Sequence, residues 1–122
     1  MCQGPRDYDR EFTNRLSADS RLRLGFDTDS GEVTQFVVQL ERRRGTDWVE
    51  VVRADHNPDS ELSHDVTEEG IHLDVYRDGE KYRREFIGPP MPAGRALDRA
   101  EGHITDHAEA YLTRDDQWHR TE

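Results

Sequence analysis

At Gly88-Pro89-Pro90-Met91-Pro92 the hydrophobic period of the chain changes, and this change restricts the fold more than any other feature. Before it, apolar and polar residues alternate, the period of two that half-buried strands require. After it, Ala93, Leu97, Ala100, Ile104, Ala108 and Tyr111 recur every three or four positions, which predicts one amphipathic helix to about Thr113. The proline-rich break between them cannot continue a strand. Gly102 weakens the helix by ~1 kcal/mol relative to alanine, so packing against a sheet must supply much of its stability. Trp118, beyond it, is expected to fold back against the domain.

The strands follow from alternation and turn chemistry. Leu22, Leu24 and Phe26 share one face of Arg21–Asp27, and Phe36, Val38 and Leu40 share one face of Val33–Glu41. Thr28-Asp29-Ser30-Gly31 between them reads as a hairpin turn. Arg42-Arg43-Arg44-Gly45-Thr46 is the next expected turn, leading into a strand over Trp48–Ala54. Apolar residues on both faces of that strand predict a central position covered on each side. His56–Gly70 is polar and opens with Asn57-Pro58-Asp59-Ser60, a loop signal, with Leu62–Thr67 as a brief strand. Ile71–Tyr76 and Lys81–Ile87 flank Asp78-Gly79, a strong hairpin signal. Near the N-terminus, Tyr8, Phe12 and Leu16 stand at helical spacing and read as a short helix around Asp7–Leu16 or an arm over residues 1–20. The expected architecture is α+β: an antiparallel β-meander of about five strands over 21–87, packed against one long C-terminal helix over 93–113, in a single domain spanning 21–122.

Composition bounds the setting. Apolar residues make up 32% and charged residues 36% of the 122, so the core is lean. Asp and Glu number 27 against 17 Lys and Arg, a formal net charge of −10, and Lys81 is the only lysine. A dense carboxylate surface stays hydrated where molar salt strengthens hydrophobic association, and self-repulsion is screened there because the Debye length falls to ~3 Å. The composition therefore points to a halophilic protein; an acidic protein of a GC-rich genome is the alternative. Cys2 is the single cysteine, which excludes an internal disulfide and suits a reducing cytoplasm. MCQGPRDYDRE lacks the apolar core of a signal peptide, and no run approaches the ~18 apolar residues of a membrane span, so cytoplasmic localisation without membrane contact is expected.

Two histidine groupings carry candidate chemistry. Asp55-His56 and His64-Asp65 flank the central connection, and a histidine paired with a carboxylate is the usual general base near pH 7. A solvated polar loop is the plainer account of the same residues. His103 and His107 are four apart on the helix, with His107 on the packing face and His103 at its edge; such a pair can chelate a divalent metal if a third ligand joins it. The helix lacks the glutamate directly after the first histidine that a zinc hydrolase would carry. No phosphate loop, serine elbow or CxxC pair is present, so no cofactor is expected. Arg42-Arg43-Arg44, Arg53, Arg77, Arg83 and Arg84, with Tyr76, Tyr82 and Trp48, offer forked donors and stacking rings suited to RNA, or else solvated partners for the abundant carboxylates.

Arg53-Ala54-Asp55-His56, followed by His64-Asp65 and a later Ala-Leu-Asp-Arg-Ala-Glu helix, resembles the TumE-type toxin-like families over about Phe36 to Tyr111. The chain departs from their pattern at Asn57-Pro58 and in having no histidine after His64-Asp65. The resemblance implies an antitoxin-like partner and an RNA-directed effect, with Arg53, Asp55, His56, His64 and Asp65 as the matched catalytic positions. In a metal-free cleavage, His64 oriented by Asp65 would take the 2′-hydroxyl proton, His56 would protonate the leaving oxygen, and Arg53 would stabilise the phosphorane. From a different class comes a non-enzymatic interaction module, whose exposed strand edge pairs with itself or with a partner.

Overall fold

Alternation before the proline break and helical spacing after it produce a sheet and a helix in that order. The computed structural model describes residues 8–58 and 65–120. The strands are β1 (Arg10–Ser17), β2 (Ser20–Asp29), β3 (Glu32–Arg44), β4 (Asp47–His56), β5 (Ile71–Arg77) and β6 (Glu80–Gly88). A helical turn α1 (Val66–Glu69) precedes β5, and the long helix α2 (Ala93–Arg120) closes the chain. The sheet runs β1-β2-β3-β4-β5-β6, every neighbouring pair antiparallel, so this is the expected meander-plus-helix α+β fold with one strand more. Asp78 and Gly79 take φ of 54° and 82°, two successive left-handed residues whose twist matches that of the flanking strands.

One face of the sheet is apolar and lies under α2. Leu22 and Leu24 of β2, Phe36, Val38 and Leu40 of β3, Val52 and Ala54 of β4, and Ile71, Leu73 and Val75 of β5 are buried there with the stripe Ala96, Ala100, Ile104 and Ala108 of α2. Alanines let the helix backbone approach closely, and each large buried side chain contributes about 1.5–3 kcal/mol relative to exposure. The opposite face, called outer below, carries the polar set of each strand.

Several expectations are corrected. Residues 10–17 form a strand and not a helix. Phe12 and Leu16 are four apart, a spacing that suits a helix face and a strand face equally, and ladder pairing to β2 (Phe12 opposite Leu24, Asn14 opposite Leu22) decides for the strand. Arg42-Arg43-Arg44 belongs to β3 and not to a turn, because α2 holds two of the three. The two apolar faces of β4 have a local cause: Leu40 pairs with Val52 and Glu41 with Glu50, so Val51 is an extra residue in a bulge. Residues 62–64 of the expected brief strand lie outside the described residues, and Val66-Thr67 open α1.

Helix α2 continues past Thr113 to Arg120 because its last turns are clamped to β3. Arg44 Nη2 donates to Asp115 Oδ2 at 2.7 Å, and Arg42 Nη2 to Asp116 Oδ2 at 2.5 Å. Asp115 is buried, and burial pushes its carboxyl above the ordinary aspartate range against the pull of Arg44. Arg44→Ala strands this carboxylate and is expected to cost about 1–3 kcal/mol in chemical denaturation. Arg43→Ala, at an exposed position of the same strand, should leave the midpoint unchanged.

Candidate functional site

β4 carries three of the sequence-derived candidates, and strand alternation divides them. Arg53 pairs with Gln39 and Asp55 with Val37, both on the outer face, whereas His56 pairs with Phe36 on the inner one. Arg53 Nε lies 3.3 Å from Asp55 Oδ2 in an ion pair, and Asp55 is buried. Across the ladder Arg53 faces Asp74, another buried carboxylate, which Lys81 approaches to 3.5 Å and Arg84 to 3.9 Å. Tyr76 shares this face, and burial pushes its hydroxyl up to about 12 although Arg53 pulls it down. The outer face is thus a belt of buried acids neutralised by arginine: Glu41 takes Arg21 at 2.6 Å and Arg23 at 3.4 Å, and the Arg21 guanidinium stacks on Trp48 at 4.1 Å.

His56 has a different environment. Only 4% of it is exposed, its ring packs on Phe36 with centroids 5.8 Å apart, and its Nδ1 accepts the Val66 N–H at 3.1 Å. With Nδ1 an acceptor, the neutral ring carries its proton on Nε2. Burial holds its pKa below the ordinary histidine value, outweighing Asp65 and Asp55, which raise it. Asp65 Oδ1 stands 3.9 Å from His56 Nδ1, beyond hydrogen-bond range, and instead caps α1 by accepting the Thr67 N–H at 3.0 Å and the Thr67 hydroxyl at 2.6 Å. The Thr67 hydroxyl bond lowers the Asp65 pKa most. His64 lies outside the described residues. β4 therefore brings Arg53 and Asp55 together and turns His56 away from them. A buried imidazole with a depressed pKa, whose Nδ1 is occupied, is a poor proton donor to a bound substrate.

The helix pair behaves differently from its expected placement. His103 is half-buried, with Nε2 2.8 Å from the Tyr111 hydroxyl, and His107 is exposed, its Nδ1 2.8 Å from the His103 carbonyl. The rings stack at 4.4 Å, which leaves His107 outermost and reverses the assignment of packing face and edge. Burial first, and then the neighbouring His107, lower the His103 pKa. Among the described residues no group of three His, Cys, Asp or Glu side chains could hold a metal ion.

Two surfaces emerge that alternation alone did not mark. Every residue of β1 is exposed, including Phe12 at 50% and Leu16 at 42%. Phe12 stacks on Phe26 at 6.2 Å and edges an apolar groove floored by Leu24, Phe26, Val33 and Leu97, between β1 and the start of α2. The second surface lies where β6 meets the end of α2. Tyr82 and Trp118 meet edge to face at 5.1 Å, and the guanidinium carbons of Arg77, Arg83 and Arg114 stand 5.1–5.9 Å from these rings. Glu85 pairs with both Arg83 and Arg114. No helix among the described residues is long and apolar enough to cross a membrane.

A family model described as a domain of unknown function, DUF7718, matches residues 6–121. No curated protein and no solved structure matches the chain.

Proposed function

The chain belongs to the DUF7718 family, and from that premise we propose that it is a non-enzymatic interaction module, which associates through its open sheet edge with itself or with a partner protein. The observation that carries this reading is β1: a strand of eight residues, exposed throughout, bonded among the described residues to β2 on one side only, and bearing Phe12 beside an apolar groove. An uncovered strand edge offers a row of backbone donors and acceptors to any extended segment, and alternate side chains supply selectivity. The division of Arg53 and Asp55 from His56 across β4 supports the same reading from the opposite direction. The single cysteine, the net charge of −10 and the near absence of lysine support a reducing, salt-rich cytoplasm as its setting.

A second reading is an RNA-directed, toxin-like component that works with an antitoxin-like protein. The Tyr82–Trp118 cluster favours it, since an exposed Tyr82 ring against a partly buried Trp118, flanked by arginines, can stack unpaired bases while guanidinium groups meet phosphate. Glu85 already neutralises part of that patch, and molar salt weakens phosphate contacts. For this reason the interaction reading ranks first.

The two readings part in one experiment. Purified chain is incubated with total RNA at low salt and in molar KCl, beside a His64→Ala variant. The interaction module predicts intact RNA of unshifted gel mobility in every lane, whereas retardation of intact RNA by the chain would favour the RNA-directed reading. Cleavage by the wild type that disappears in the variant would overturn the interaction module and establish a nuclease.

A further inference from the structure

The two edges of the sheet are defended unequally. β6 carries Glu80, Lys81, Arg83, Arg84 and Glu85, and its pairing with β5 is broken by two register shifts. Charges and bulges of this kind discourage edge-to-edge pairing. β1, Arg-Glu-Phe-Thr-Asn-Arg-Leu-Ser, contains neither Lys nor Pro, and its single irregularity lies between Arg15 and Ser17, at the end of the strand.

A second copy of β1 can add to this edge only in certain registers. In an antiparallel ladder, residues that point their N–H and C=O outward must face residues that do the same. The numbers of facing residues must then share parity, which leaves registers centred on Phe12, Thr13 or Asn14. Centred on Phe12, Glu11 faces Thr13; centred on Asn14, Glu11 faces Ser17. Centred on Thr13, Glu11 faces Arg15 of the other copy, and the symmetry makes that pair twice. On the inner face the same register sets Phe12 opposite Asn14, so each copy extends the apolar rim of the other's groove.

We propose that this protein forms a symmetric homodimer by antiparallel β1–β1 pairing centred on Thr13, with two reciprocal Glu11–Arg15 ion pairs and Phe12 covered at the junction. The proposal rests on the interaction-module reading and names its partner as a second copy of this chain. Arg15 lies on the outer face beside Glu11 and Thr13 but must turn toward the free edge to make the contact. Its Nε and Nη2 donate to the Ser17 and Ala18 carbonyls of its own turn, and its guanidinium lies 5.2 Å from the Trp48 ring centre of β4. Two of its five donors are used in these bonds, leaving others for a carboxylate.

Within one chain Glu11 and Arg15 are separated by four strand residues, about 13 Å, too far to pair. A charge swap therefore reports only on contact between copies. Sedimentation of the full chain is measured over a concentration series, at low salt and in molar KCl. The variants are Arg15→Glu, Thr13→Pro and the double Glu11→Arg/Arg15→Glu. The wild type should be a dimer, and Thr13→Pro, which removes the central amide, should be monomeric. At low salt, Arg15→Glu should weaken dimerisation by at least about tenfold, because two attractive cross-strand pairs become repulsive. The double variant should recover most of that loss, although it does not restore the Arg15 stack on Trp48.

Recovery in the double variant establishes the register, whatever Thr13→Pro does to the fold. A wild-type monomer at all concentrations and both salts overturns the homodimer. A dimer indifferent to Arg15→Glu at low salt, or one the swap fails to rescue, overturns this interface. In none of these cases is the RNA experiment affected, so failure of the dimer and failure of the interaction reading remain distinguishable.

Discussion

Phe36→Ala is expected to lower unfolding stability by about 3–5 kcal/mol, a large share of the roughly 5–15 kcal/mol typical of a domain this size. The Phe36 ring is fully buried in β3, with Phe26 opposite on β2 and His56 opposite on β4. Strands bonded on both sides cannot close over the space that the ring leaves, so the cavity persists and adds to the lost transfer energy. Guanidinium denaturation followed by tryptophan fluorescence measures the loss. Phe86→Ala, at a position 62% exposed, should fall within about 0.5 kcal/mol of wild type. A loss at Phe36 no larger than that at Phe86 would contradict the placement of the core.

His56 should produce the second large effect, with a pH signature. Replacing it by glutamine removes the ring packed on Phe36 and disturbs the acceptor for the Val66 N–H, an expected cost of about 2–4 kcal/mol near pH 8. Its folded-state pKa lies below the ordinary value because burial disfavours the imidazolium. The unfolded chain therefore takes up this proton more readily, and protonation favours unfolding. The stability contributed by the neutral ring is complete above the unfolded pKa of about 6.5 and is lost as pH falls from there through the folded-state value. Denaturation midpoints of wild type and His56→Gln, measured from pH 8 to pH 5, should converge as pH falls. The other histidines and carboxylates titrate in both proteins and largely cancel. Parallel curves would show that His56 is not buried in its neutral form.

Much of the fold is legible in the residues because it depends on short periods. The alternation of Leu22, Leu24 and Phe26, and the spacing of Leu97, Ala100 and Ile104, set strand and helix without reference to distant partners. The parts that were not legible depend on such partners. Arg44 and Asp115 are 71 positions apart and Arg42 and Asp116 are 74 apart, and no local pattern announces their pairing or the extra turns of α2 that it supports. At Phe12 and Leu16 a spacing of four fits both periods, and the choice belongs to the β1–β2 ladder. The placement of the candidate site was less legible for a related reason. With a strand ending at Ala54, Asp55 and His56 enter one loop cluster; continued two residues further, the strand places them on opposite faces. His56 is then a core residue, set apart from Arg53 and Asp55.

The most direct test of the account is amide hydrogen exchange of the wild-type chain at low and at high protein concentration. With β1 as the associating edge, the amides of residues 10–17 should exchange more slowly at high concentration, while those of β6 stay unchanged. Protection that appears at β6 or on α2 while β1 exchanges equally fast at both concentrations would contradict the β1 edge as the interaction surface.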